Sequence, residues 1–251
     1  MAATSTNPDV VDPSAMAFIP LEANPALMTT LVHKLGVSKA LAVHDVLSLT
    51  EPDMLAFVPR PALAVLLVFP VNAVYESHRL AEDSVVDDYA AQGDAEPVLW
   101  WKQTIRNACG LMGLLHAVAN GQARSFIEAG STLDKLIHKS IPLAPRARSA
   151  LLEATPEIAT AHREAASAGD TAAPDAAHDI DLHYVCFARG SDGALWELDG
   201  RRKGPIRRGE LDPDEDVLSP KALTIGPLRF LERGGQDLRF SAVALAGAVD
   251  D

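Results

Sequence analysis

Lys102-Gln103-Thr104-Ile105-Arg106-Asn107-Ala108-Cys109-Gly110 runs directly into Leu111-Met112-Gly113-Leu114-Leu115-His116-Ala117-Val118-Ala119-Asn120. The second half predicts a helix that buries Leu111, Leu114, Leu115 and Val118 and stops at Asn120-Gly121. Cys109 then stands at the helix start. There the first N–H groups lack partners and the dipole favours negative charge, so a thiolate is stabilised below its reference pKa of about 8.5. Gln103, six positions upstream, brings an amide to the same place. Thiolate attack on a carbonyl develops an oxyanion that needs preorganised donors, and the Gln103 amide with the Cys109 N–H supplies two. Cys109 is the best nucleophile candidate in the chain.

Working outward, a catalytic cysteine needs a base and a third group that orients that base. His183 opens a strand-like run, Leu182 to Ala188, which Gly190-Ser191-Asp192-Gly193 separates from a second, Ala194 to Leu198. That pattern is a hairpin, and it sets Asp199 roughly opposite His183. The order Cys109, His183, Asp199 fits triad logic. Spacing alone leaves other readings open: a packed small hydrophobe for Cys109, a structural histidine, and a turn signal for Asp199-Gly200. Cys186 reads as structural, on the opposite strand face from His183.

The bulk composition narrows the field. The 251 residues can bury a full core, and they carry 48% apolar and 22% charged residues. A formal charge of -12 disfavours nucleic-acid binding, which wants clustered Lys and Arg, and suits a basic partner. Two cysteines imply no disulfide framework and no structural zinc site. The longest apolar stretch, Pro61 to Val71, is too short to span a bilayer, and residues 1–17 lack a secretion signal. A reducing cytoplasmic location, with the nucleus also open, is the simplest reading, with no membrane and no metal.

Residues 1–17 read as a flexible tail. Asn24-Pro25 predicts a capped helix carrying Leu27, Met28, Leu31, Val32 and Leu35 and ending at Gly36. A second helix start appears at Thr50-Glu51-Pro52-Asp53 and runs to Phe57, and Ala62 to Phe69 predicts a strand buried on both faces. Glu82 to Pro97 reads as an irregular acidic connection with some helix, and Val98 to Trp101 as a short strand. Ser131-Thr132-Leu133-Asp134 resembles a capping box, and Arg146 to Ala154 predicts a helix. Residues 161–179 show no hydrophobic period and read as a loop. Ile225 to Arg233 predicts a helix and Leu238 to Leu245 a last strand. The mixture is α+β with a largely antiparallel sheet.

The segment Lys102–Gly110 with Gly113–Asn120 closely resembles the active-site segment of the ubiquitin carboxyl-terminal hydrolases, a family of thiol peptidases. Pro20-Leu21-Glu22-Ala23-Asn24-Pro25, Val58-Pro59-Arg60-Pro61, Gly130-Ser131-Thr132-Leu133, Asp181-Leu182-His183-Tyr184 and Glu197-Leu198-Asp199-Gly200-Arg201 carry the likeness across residues 18 to 247. Small L3-like intracellular members are the nearest type. The turn at Arg189–Gly193 looks one residue longer than the family pattern. The resemblance implies Cys109 as nucleophile, His183 as general base then acid, Asp199 as orienting carboxylate and Gln103 as oxyanion donor. It also implies a papain-like fold in one catalytic domain over 18–251, a knotted chain, and a crossover loop at about 157–179 that limits the leaving group.

The implied reaction removes small adducts or short extensions from the C-terminal glycine of ubiquitin, with Nedd8 as a second substrate, by a monomer without cofactor. Ubiquitin's basic, Gly-Gly-ended tail suits an acidic enzyme. Substrate contacts fall to Leu21, Glu22, Ala23, Asn24, Asn107, Asp179, Asp181, Leu238, Arg239 and Phe240. The run Asp212-Pro213-Asp214-Glu215-Asp216 is either a further partner for the tail or a solvated loop. The rivals are a ubiquitin-sequestering protein with little turnover and a papain-like peptidase of broad specificity.

Overall fold

The computed structural model describes residues 16–169, 181–233 and 239–249. Helix α1 spans Pro25–Leu35, strand β1 Leu41–Asp45, helix α2 Pro52–Leu55, strand β2 Ala64–Pro70 and helix α3 Ala73–Ser84. Helices α4 (Cys109–Ala119), α5 (Thr132–Ser140), α6 (Pro145–Glu153) and α7 (Pro156–Ser167) follow, with a 3-10 turn at Gly121–Phe126. Strands β3 (Leu182–Arg189), β4 (Ala194–Leu198) and β5 (Ile206–Glu210), helices α8 (Pro220–Ile225) and α9 (Leu228–Arg233), and strand β6 (Ser241–Gly247) complete the elements.

The strands form one sheet, in the order β1-β6-β2-β3-β4-β5, and every pairing is antiparallel. Strand β2 is buried along its whole length, as its unbroken apolar run predicts. Ala64, Leu66 and Val68 point into a core shared with α1, α4, α5 and α7. Val65, Leu67 and Phe69 point the other way, into a second core with Val185, Phe187, Ala222 and Phe230. Each fully buried Val, Leu or Phe contributes about 1.5–3 kcal/mol. Helix α4 lies close on the sheet because Gly113 offers no side chain: a Cβ there would stand 3.0 Å from Leu66.

Local signals placed α1 and α5 well. The Asn24 side chain accepts from the N–H groups of Ala26 and Leu27 at 3.0 and 3.2 Å, and Gly36 closes α1 in the left-handed region at φ 110°. Ser131 accepts from the Asp134 N–H at 3.1 Å, while Asp134 reaches back to the Gly130 N–H rather than to that of Ser131.

Several expectations fail. Val98–Trp101 is no strand, although Val98, Leu99, Trp100 and Trp101 are all buried. Its backbone is satisfied by side chains instead: Asn120 bonds both the N–H and the carbonyl of Leu99 at 2.7 and 2.9 Å, and His116 accepts from the Trp101 N–H at 3.1 Å. The predicted loop at 161–179 is helical as far as Ser167. Ile158, Ala161, His162, Ala165 and Ala166 form its buried stripe, one too weakly apolar to register as a period. The rest of the expected crossover, 170–179, lies outside the described residues.

The helix expected over Ile225–Arg233 is two helices, because Gly226-Pro227 interrupts it where proline offers no N–H. The last strand begins at Ser241, not at Leu238. The expected tail 1–17 lies outside the described residues up to 15, but Met16–Phe18 pairs with Arg106 through backbone bonds of 2.9 Å.

Candidate active site

His183 sits near the start of β3, level with Phe69 in β2, whose ring meets the imidazole edge-on at 5.7 Å between centroids. Asp199 follows the last residue of β4. The register sets Leu198 opposite Cys186, so Asp199 falls level with Val185, one diagonal step from His183 rather than opposite it. Diagonal neighbours on one face remain within reach of long side chains. Here His183 Nε2 lies 2.8 Å from Asp199 Oδ1.

The carboxylate is wholly buried and fully engaged. Oδ1 also accepts from the Arg201 N–H at 2.8 Å, and Oδ2 accepts from the Tyr75 hydroxyl at 3.1 Å. The Trp100 indole N–H holds the Asp199 carbonyl at 3.1 Å.

With Nε2 committed to Asp199, Nδ1 is the ring nitrogen left for the Cys109 sulfur. Cys109 is half-buried at the start of α4, where His183 and the N–H groups of Tyr184 and Gly110 favour the charged form of its sulfur. No side chain caps α4, so its first turn keeps its electropositive end for the site. Asn107, at φ 56°, makes the left-handed turn into this helix; asparagine tolerates that conformation.

Gln103 is buried alongside. Its N–H donates to the Gly200 carbonyl at 2.9 Å and its Nε2 to the Ile105 carbonyl at 3.0 Å. The Ile105 acceptor fixes which end of the amide is NH2. Gly200 permits this approach, since a Cβ there would stand 2.8 Å from Gln103 Cβ.

The electrostatics are reciprocal. Burial raises the Cys109 pKa, but the hydrogen bond and positive charge of His183, with the two N–H groups, outweigh it and the net shift is down. Burial opposes a charged imidazole too, but Asp199 and then Cys109 outweigh it and His183 rises to about 9. Asp199 lies well below the usual carboxylate range: burial opposes its charge, but the charge of His183 and the donors around it prevail. Cys186 has no such neighbours; burial pushes its thiol far up. Together these shifts favour a thiolate–imidazolium pair at Cys109 and His183.

The expected substrate contacts divide. Leu21 is buried; its carbonyl accepts from the Tyr184 hydroxyl at 2.8 Å, and its Cβ would lie 3.0 Å from a Cβ on Gly110. Leu21 and Glu22 therefore border the first turn of α4, and Ala23 follows half-buried. Asn24 spends its side-chain oxygen on the α1 cap. Asp181 and Arg239 pair with each other at 2.7 Å, at the sheet end that holds His183, and Phe240 packs into the second core beside them. Asp179 and Leu238 lie outside the described residues.

The run Asp212–Asp216 lies at the other end of the sheet. Asp216 pairs with Arg60 and accepts from the Ala62 N–H at 2.8 Å, and Asp212 pairs with Lys221 at 3.2 Å. It borders a cavity of about 1110 Å³ lined by Arg60, Arg189 and Gly121, at the opposite end of β2 and β3 from His183.

Tyr75 and Gly200 were missed as site residues. Tyr75 sits on α3, whose buried positions are Tyr75, Arg79 and Asp83. A hydrophobic period cannot reveal a helix that buries charge. Asn72, which caps it by accepting from the Tyr75 N–H at 2.8 Å, was the usable signal.

A family model described as ubiquitin carboxyl-terminal hydrolase, family 1, matches residues 18–225. Ubiquitin carboxyl-terminal hydrolase YUH1 of Saccharomyces cerevisiae is 32% identical over 238 residues, covering 91% of this chain and 95% of that protein. Isozyme L1 of the same name from Monodelphis domestica is 37% identical over 230 residues, covering 92% and 98%. In fold, the chain resembles the Trichinella spiralis UCH37 catalytic domain solved with ubiquitin vinyl methyl ester. The TM-score is 0.69 at 19% identity, over 92% of this chain and 96% of that one.

Proposed function

Since the chain belongs to the ubiquitin carboxyl-terminal hydrolase family and is a cysteine-type hydrolase of ubiquitin's carboxyl terminus, we propose that Cys109, His183, Asp199 and Gln103 carry its reaction. The observation that carries this assignment is the chain of contacts from sulfur to imidazole to carboxylate, with the 2.8 Å bond between His183 and Asp199.

The Cys109 thiolate attacks the C-terminal glycyl carbonyl of ubiquitin. Charge passes to the carbonyl oxygen, which accepts from the Gln103 N–H not committed to Ile105. The tetrahedral intermediate collapses as His183 Nδ1 gives its proton to the leaving amine or alcohol, and a thioester remains. Water then attacks the thioester; neutral His183 takes its proton, the sulfur departs as a thiolate, and the thiolate–imidazolium pair is restored. Asp199 keeps the imidazole in one orientation throughout and stabilises its charged form.

The same reading extends to Nedd8 as a second substrate, to a monomer, and to the cytoplasm and nucleus. It is supported by the acidic charge balance, which attracts a basic tail, and by two cysteines that remain free. Ubiquitin with an electrophile in place of its C-terminal carboxylate tests the assignment. A mass increase of one ubiquitin is expected on the native enzyme and none on Cys109→Ala. Binding without labelling would favour a sequestering protein, and labelling that survives Cys109→Ala would move the nucleophile elsewhere.

A further inference from the structure

We propose that Tyr75 is a positioning residue for this reaction, its hydroxyl locking the rotation of the Asp199 carboxylate and tempering the negative charge that Asp199 presents to His183. The inference rests on the mechanism above and adds a residue to it.

A carboxylate turns easily about its last torsion, which has broad, two-fold preferences. Asp199 is denied that freedom. Oδ1 is held by His183 Nε2 and the Arg201 N–H, each at 2.8 Å, and Oδ2 by the Tyr75 hydroxyl at 3.1 Å. The phenol is itself fixed. Its ring packs edge-on against Phe69 at 4.6 Å and lies tilted against Phe230 at 5.9 Å. Phe69 also contacts the His183 ring edge-on, so one aromatic cluster aligns both the base and the group that holds its carboxylate.

The charges around Asp199 are otherwise committed. From the turn after β4, Arg201 pairs with Glu76 of α3 at 2.9 Å. Arg202 pairs with Asp83 of α3 at 3.0 Å and with Glu197 of β4 at 3.3 Å. From α4, His116 stays neutral because burial pushes its pKa down to about 4, which leaves Cys109 as the charged partner of His183. Burial, and then the charge of Asp199, hold the Tyr75 phenol far above its ordinary pKa, so it donates at every working pH. It is a neutral donor whose removal leaves net charge unchanged.

Tyr75→Phe deletes the hydroxyl and keeps the ring. Without that donor Asp199 directs more charge at His183, and the imidazolium holds its proton more tightly. With a fluorogenic C-terminal amide of ubiquitin, the basic limb of the kcat/KM profile is expected to move up by about half a pH unit or more, with kcat falling several-fold and KM unchanged. The His183 ring signals in NMR should titrate higher by the same shift. Phe230→Leu loosens the ring but keeps the hydroxyl, and should leave the basic limb in place. In the native protein the Tyr75 hydroxyl proton should exchange slowly and change its chemical shift as His183 titrates.

Superimposable profiles for Tyr75→Phe and native enzyme, or a Phe230→Leu limb shifted equally, would overturn the proposal. A Tyr75 hydroxyl signal indifferent to His183 would do so even if Tyr75→Phe failed to fold. Native enzyme unlabelled at Cys109 would instead bring down the mechanism itself, so the two failures are distinguishable.

Discussion

The pKa of Cys109 is shifted down and that of His183 up because each supplies the other's counter-charge in a place that burial has made costly for either alone. The ion pair is therefore a property of two residues brought together, with Asp199 as ballast. In the proposed mechanism Gln103 acts one step later, on charge that exists only once the thiolate has attacked. Gln103→Ala is accordingly expected to lower kcat by roughly 10²-fold or more with little change in KM, the usual cost of one oxyanion donor. Steady-state kinetics would check it, and an unchanged kcat would remove Gln103 from the mechanism. His116 is a different kind of histidine. Unfolded it takes a proton at about 6.5, whereas folded it resists until about 4. Between those values the unfolded state binds more protons, so stability should fall as pH drops through that window, by about 3 kcal/mol in all. Urea unfolding at pH 7 and pH 4 measures the fall, and His116→Gln should flatten it.

At the scale of elements, helix α4 does three jobs: it sets Cys109 at its start, packs on β2 and β3, and with His116 and the Asn120 that follows it pairs the backbone of Val98–Trp101. That third job matters for the site, because Trp100 reaches Asp199 and the same segment leads to Gln103. Asn120 mimics a neighbouring strand with one side chain. Asn120→Ala would leave the Leu99 N–H and carbonyl buried without partners, at a cost of about 1–3 kcal/mol for each orphaned group. Equilibrium unfolding should show the loss, and a stability within 0.5 kcal/mol of native (about the scatter of surface substitutions) would mean the segment finds other partners. The strand-like residues of this segment were legible, but their pairing with a helix was not: hydropathy records burial and says nothing of which group bonds the backbone.

For the whole molecule, two helical layers on one sheet leave a seam where α3 meets β4 and β5, and charge fills it. Arg79 and Arg202 are both 1% exposed, and Arg202 touches Asp83, Glu82 and Glu197 while Arg208 of β5 also holds Glu197. Such clusters add little net stability over a hydrophobic seam, but removing one member strands the others. Arg202→Met should cost about 3–5 kcal/mol in urea unfolding, and a neutral result would show that Asp83 and Glu197 find other partners. The same seam delivers Tyr75 to Asp199.

The linear chain determined the helix that begins at Cys109, the hairpin that carries His183 and Asp199, and the Gln103 amide upstream. Each rests on local rules: caps at Asn24 and Ser131, a turn at Gly190–Gly193, an apolar period after Cys109. Tertiary structure alone decided the diagonal meeting of His183 with Asp199, the ion pair of Asp181 with Arg239, the remoteness of Asp212–Asp216 and the service of Tyr75. The reason is that register, charge pairing and solvent exclusion depend on residues distant in sequence, whose meeting no local period encodes.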